Sequence, residues 1–96
     1  MPNNPASFDD LNVFLAVLRR GGFRDAARDL GLSPSTVSDT ITRLEARLGA
    51  RLLSRTTRSV APTELGRDLA ARLGPLMAET AAAVDTALSR RGEVQG

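Results

Sequence analysis

Thirteen arginines, and no lysine, histidine, cysteine, tryptophan or tyrosine, occur in this chain of 96 residues. Without imidazole or thiol the chain lacks a general base near neutral pH, a nitrogen-and-sulfur zinc site and any disulfide. Without lysine it lacks Schiff-base and phosphate-loop chemistry. Neither an enzyme nor a bound metal or cofactor is therefore expected. What remains is arginine, which stays charged at any working pH and grips phosphate bidentately, beside a concentration of hydroxyls at Ser33, Ser35, Thr36, Ser38 and Thr42. The charge is unevenly placed. Four arginines balance four acids up to Leu32. Between Ser33 and Pro62, Arg43, Arg47, Arg51, Arg55 and Arg58 outnumber Asp39 and Glu45, and that third carries +3 while the rest carries −1. A basic stretch of this kind suits a polyanion. On charge alone, a solvated face reads equally well.

Such side chains need rigid elements behind them. At this length folding buries only about two-thirds of the unfolded surface, so one small core is expected, aided by local contacts or a partner subunit. No apolar run reaches membrane-spanning length and no signal peptide opens the chain, so a soluble, cytoplasmic protein is expected. Met1 to Ser7 is rich in Pro and Asn and is expected to fray. Leu11, Phe14, Leu15 and Leu18 predict a first helix, with Asp9 and Asp10 in its first turn, Arg19 and Arg20 in its last, and a stop at Gly21 and Gly22. A short second helix over about 23–30 should bury Phe23, Ala26, Ala27 and Leu30 and end at Gly31. Ser33 and Pro34 start a third, as N-cap and first helical residue. Its buried face is read as Val37, Ile41, Leu44 and Leu48, up to Gly49. Ser35, Ser38, Asp39, Thr42 and Ala46 share the opposite face, which is short-chained and polar.

Helical spacing lapses over 51–62, and two short strands joined by a turn are read there. Thr63 caps a further helix carrying Leu65, Leu69, Leu73, Leu76, Met77, Thr80, Val84 and Leu88 along one side. Gly74 and Pro75 interrupt that stripe, so a kink with the helix resuming is expected. Arg90 to Gly96 is expected to be disordered. Leu65, and Leu69 and Leu73 after it, could cap the core; Leu76, Met77, Val84 and Leu88 lie beyond its reach and call for a partner helix.

Two helices joined tightly need a small contact residue, a turn glycine and an anchor. Ala27, Gly31, Leu32 as a plug, and Val37 meet those needs at the right spacing, although an ordinary helical hairpin would share the pattern. The strand pair that follows reads as a wing bearing Arg55 and Arg58, placed to reach backbone or minor groove; idle arginines on a solvated hairpin are the alternative.

The run FRDAARDLGLSPSTVSDTITRLEARLGARLLSRTTRSVAPTELG, Phe23 to Gly66, resembles the DNA-binding domain of LysR-type transcriptional regulators. Its most specific pieces are Ala26-Ala27, Leu32-Ser33, Val37-Ser38, Ile41, Arg43-Leu44-Glu45, Leu48-Gly49, Arg51-Leu52-Leu53, Arg55-Thr56 and Pro62-Thr63 with Gly66, and the likeness covers nearly the whole chain. The resemblance implies a mainly α fold with a small β-hairpin: a winged helix-turn-helix over 1–62, a linker or dimerisation helix over 63–90, and a disordered tail over 91–96. It implies sequence-specific binding of double-stranded DNA at an inverted-repeat operator, with the Ser33–Leu48 helix in the major groove. The base-reading positions then fall on Pro34, Ser35, Ser38, Asp39 and Thr42. Ser33, Thr36, Arg43, Arg55 and Arg58 serve the DNA backbone and wing. Leu69, Leu73, Leu76, Met77, Val84 and Leu88 would form a homodimer, and a full-length protein could be a tetramer. The family's effector domain would lie outside this chain, as would any small-molecule effector, and the protein would sit on the nucleoid.

Two residues depart from the family pattern. Pro34 replaces a frequent Gln able to contact adenine bidentately. Asp39 stands where a basic or amide side chain is common; it could accept from cytosine N4, or simply pair with Arg43 at i+4. The competing function is a protein-binding or dimerisation scaffold. The short polar face favours DNA, because a protein-binding face should offer aromatic or large apolar anchors.

Overall fold

The computed structural model describes residues 7–55 and 59–95. Its elements run α1 (Phe8–Arg20), α2 (Phe23–Leu30), α3 (Pro34–Leu48), β1 (Leu53–Arg55), β2 (Val60–Pro62) and α4 (Glu64–Gln95). Local chemistry sets the boundaries. The Ser7 hydroxyl accepts from the Asp10 N–H at 3.1 Å, so Ser7 caps α1 instead of fraying; residues 1–6 lie outside the described residues. Gly31 adopts φ 70°, a left-handed conformation that costs other residues more, and the Leu32 N–H then returns to the Ala27 carbonyl at 2.9 Å. At the start of α3 the Ser33 hydroxyl accepts from the Thr36 N–H at 3.1 Å, a cap of about 1 kcal/mol.

α1 packs on both α2 and α3, and also touches β2 and α4. It is therefore covered over more than one stripe. Val13, Phe14, Ala16 and Val17 are its buried residues, while Leu11, Leu15 and Leu18 of the expected stripe are half-buried at the margin. Ala26, Ala27 and Val37 close the joint between α2 and α3. Phe23 and Leu30 pack against this core only in part, and Leu32, read as the plug, is 39% exposed. Val37, Ile41 and Leu44 are buried as expected, but Leu48 is 49% exposed. Leu48 is the last residue of α3, and Leu52 and Leu53 just beyond it are both fully buried.

β1 and β2 pair antiparallel, with Leu53 opposite Pro62 and Arg55 opposite Val60. Arg58, expected on the wing, lies between β1 and β2 in the chain and outside the described residues. Thr63 ties this hairpin to α4. Its N–H donates to the Leu52 carbonyl at 3.0 Å, its hydroxyl donates to the Arg51 carbonyl at 2.8 Å, and the same hydroxyl accepts from the Gly66 N–H at 3.0 Å. Gly66 is pressed against the Leu52 backbone so closely that a Cβ there would collide with the Leu52 carbonyl.

That contact fixes the rotation of α4. The face turned to the core is Gly66, Leu69, Ala70 and Leu73, at spacings of three, four and seven. Leu65 sits off this face and is 45% exposed, contrary to the reading that it caps the core. Past Leu73 the helix continues through Pro75, with Met77 and Val84 beside Phe8 and Asn12 at the start of α1. It runs to Gln95, so the segment expected to be disordered from Arg90 is helical through residue 95.

Candidate nucleic-acid interface

α3 presents one polar face to solvent. Pro34, Ser35, Asp39 and Thr42 are exposed and Ser38 is half-buried, while Val37, Ile41 and Leu44 hold the opposite face on the core. Ser35, Ser38, Asp39 and Thr42 therefore share a surface, as their spacing predicts, with Pro34 exposed at the N-terminal end of the helix. At its N-terminal end three hydroxyls meet: Ser33 Oγ lies 2.8 Å from Thr36 Oγ1 and 3.2 Å from Ser35 Oγ. The Ser33 oxygen is already occupied by the cap, which makes its first role local. Thr40, also on α3, is buried and donates to the Thr36 carbonyl at 2.9 Å.

The arginines divide into different roles. Arg43 reaches back to α1, with its guanidinium 3.3 Å from Asp10 Oδ1. It does not pair with Asp39, which makes no ion pair among the described residues; the i+4 pairing is corrected by a partner 33 positions away in the chain. The Arg55 guanidinium lies 3.6 Å from Glu45 Oε1 and stacks over the Phe23 ring, 5.1 Å from its centroid. Placed on the wing by its position in the chain, it is turned in toward α2 and α3. Arg51 Nε lies 3.5 Å from Glu45 Oε2 with 61% of its side chain exposed. An open cleft of about 550 Å³ separates the second half of α3 from β1, and Thr42, Ala46 and Arg51 are among the residues that line it.

Glu45 is the residue that the reading of the sequence passed over. Its carboxylate accepts from the Leu52 N–H at 2.7 Å and the Leu53 N–H at 3.1 Å. A signal was available: Glu45 lies four residues after Ile41 and next to Leu44, on the buried face, where a carboxylate must have partners. A second missed contact joins the ends of α1 and α2. Arg20 donates to Asp29 bidentately, both distances 2.6 Å, and this pairing raises the Arg20 pKa and holds the Asp29 carboxyl below its ordinary value of 3.8.

This geometry has a close match among known proteins. A family model for bacterial regulatory helix-turn-helix proteins of the lysR family matches residues 8–67. The chain belongs to the lysR family. The HTH-type transcriptional regulator PgrR of Escherichia coli K12 is 41% identical over 86 residues, which is 90% of this chain and 27% of PgrR. The chain thus spans less than a third of the length of such relatives. The crystal structure of BenM DBD with catB site 1 DNA superposes with a TM-score of 0.79 at 29% identity, covering 83% of this chain and 89% of that one. The CbnR DBD in its DNA complex gives 0.69 at 30% identity, covering 84% and 97%. The fold is the family's winged helix-turn-helix followed by a long helix. No helix among the described residues is long and apolar enough to cross a membrane.

Of the residues assigned to a dimer interface, Leu69 and Leu73 are half-buried against the chain's own core. Leu76, Val84 and Leu88 are 58%, 54% and 57% exposed, and Met77 is half-buried. Met77 and Val84 line a groove of about 340 Å³ together with Phe8 and Asn12 of α1.

Proposed function

We propose that this chain is the sequence-specific, double-stranded DNA-binding module of a lysR-family transcriptional regulator, acting as a homodimer in the cytoplasm and on the nucleoid. The observation that carries this reading is the outward face of α3. Pro34, Ser35, Ser38, Asp39 and Thr42 form a short polar surface without a large apolar side chain, mounted on a helix whose opposite face is locked into the core. Such a surface can approach base edges closely and exchange hydrogen bonds with them. Ser33 and Thr36 stand at the helix N-terminus, where N–H groups and hydroxyls suit a phosphate. Arg58 extends the contact to the backbone or minor groove from the wing. The protein-scaffold reading lacks its requirement, since no aromatic or large apolar anchor stands on this face.

The apolar residues of α4 beyond Leu73 support pairing with the same helix of a second copy. Two reading helices would then fall one or more helical turns apart on the duplex, ~34 Å or a multiple of it. Regulation by a small molecule, and any tetramer, would require further chain of the kind the longer relatives have. Selection of binding sites from a random duplex pool tests the reading. An inverted-repeat consensus is expected; no enrichment over the starting pool would refute it.

A further inference from the structure

We propose that Glu45 is a positioning residue for DNA binding, setting where the wing stands relative to α3; this rests on the DNA-binding reading above. The carboxylate belongs to the helix that carries the candidate reading face, yet its oxygens are used on the wing. Oε2 accepts from the amides of Leu52 and Leu53, which lead the chain into β1, and Oε1 faces the guanidinium of Arg55 at the other end of that strand. Its side chain is only 10% exposed, so removing the acceptor would orphan two amide donors in a buried place. Leu52 and Leu53 are themselves fully buried.

Three-residue strands make too short a ladder to hold an orientation by themselves. The Glu45 contacts supply one, and the Arg55 guanidinium extends them to α2 through the Phe23 ring. With its charge directed inward, Arg55 acts on DNA through the position of the wing and not through a phosphate of its own. The wing and the reading helix then meet a duplex as one rigid piece, and the ordering of the wing need not be supplied on binding.

The test uses the whole chain with a duplex that the wild type has selected from a random pool. Glu45→Gln, Glu45→Ala, Arg55→Ala and the double Glu45→Ala/Arg55→Ala are compared by affinity across a salt series, hydroxyl-radical footprint and thermal melting. Glu45→Gln retains an oxygen for the two amides and so remains folded even if Glu45→Ala does not. Its affinity should fall by about tenfold, the scale of one charge-assisted hydrogen bond. Protection beside the wing should fade while that from α3 persists, and the salt slope should fall by no more than the roughly one unit per subunit that Arg58 on the displaced wing carries. Arg55→Ala should give the same pattern and add little to Glu45→Ala, as expected for coupled residues. Unchanged affinity and footprint in Glu45→Gln would overturn the proposal. So would an Arg55→Ala variant whose salt slope drops while protection beside the wing persists, the mark of a direct phosphate contact by Arg55 itself. A wild-type chain that selects no duplex would remove the DNA-binding reading and this inference with it.

Discussion

The Arg43 guanidinium on α3 lies 3.3 Å from Asp10 in the first turn of α1, and not against Asp39 one turn away on its own helix. The contact ties the middle of the reading helix to the helix behind it and leaves Asp39 exposed without an ion pair among the described residues. A carboxylate in that position either accepts a hydrogen bond from a base edge or repels phosphate at every sequence alike.

Asp39→Ala should therefore lose discrimination at one base pair of each half-site, by roughly 1–3 kcal/mol, with the fold and the salt slope nearly unchanged. Cytosine, through its N4 amino group, is the expected base. Site-by-site affinities decide the matter: a uniform gain over all sequences would mean that the carboxylate only repels.

Binding as a whole should depend steeply on salt, losing orders of magnitude between ~50 and ~200 mM as a dimer releases counterions from several phosphates. Arg58→Ala should weaken binding to all sequences and flatten the logarithmic salt plot by roughly one unit per subunit. A flat salt response from the wild-type chain would speak for a protein partner instead.

Gly66→Ala tests the junction of hairpin and α4. The added Cβ meets backbone, at the Leu52 carbonyl that also accepts from Thr63, so neither side can give by a rotamer change. A loss of about 1–3 kcal/mol or more in urea unfolding is expected, the range for overpacking a fitted site. Gly74→Ala, with nothing within 4 Å of its Cβ position, should be neutral or slightly stabilising in the same measurement.

Leu76, Val84 and Leu88 are already exposed, so replacing all three by Gln should cost the fold little. If α4 pairs with a second copy, the triple variant should sediment as a monomer at concentrations where the wild-type chain is a dimer, and should bind a half-site weakly. A wild-type chain that stays monomeric at high concentration would dismiss this interface.

The Arg20–Asp29 pair makes a pH-dependent contribution. Because the pairing lowers the Asp29 pKa in the folded state, its stabilisation is complete above the ordinary value of 3.8 and is lost as pH falls through the lower folded value. Thermal melting of wild type and Asp29→Asn should differ most at neutral pH and low salt. The two should converge in acid, and a constant difference down to pH 2 would contradict the assignment.

Sequence alone determined the order and type of all six elements, because each depends on neighbours a few residues apart. Ser33 caps α3 through an amide three positions on, Gly31 turns left-handed where α2 ends, and the 37, 41, 44 spacing gives one buried helix face whatever lies against it. The polar face of α3 follows from the same periodicity, which is why its surface residues were legible without coordinates. Partners distant in the chain were decided only by tertiary packing. Arg43 could reach Asp39 or Asp10 by charge alone, and the crossing of α1 over α3 selects the second. Leu48 and Leu65 carry the right apolar character for the core, yet both are exposed, while Leu52 and Leu53 are buried and Gly66 is the residue of α4 that meets the Leu52 backbone. Arg55 occupies the wing in sequence and faces inward in space, toward the Glu45 carboxylate and the Phe23 ring, partners on other elements that only packing brings near.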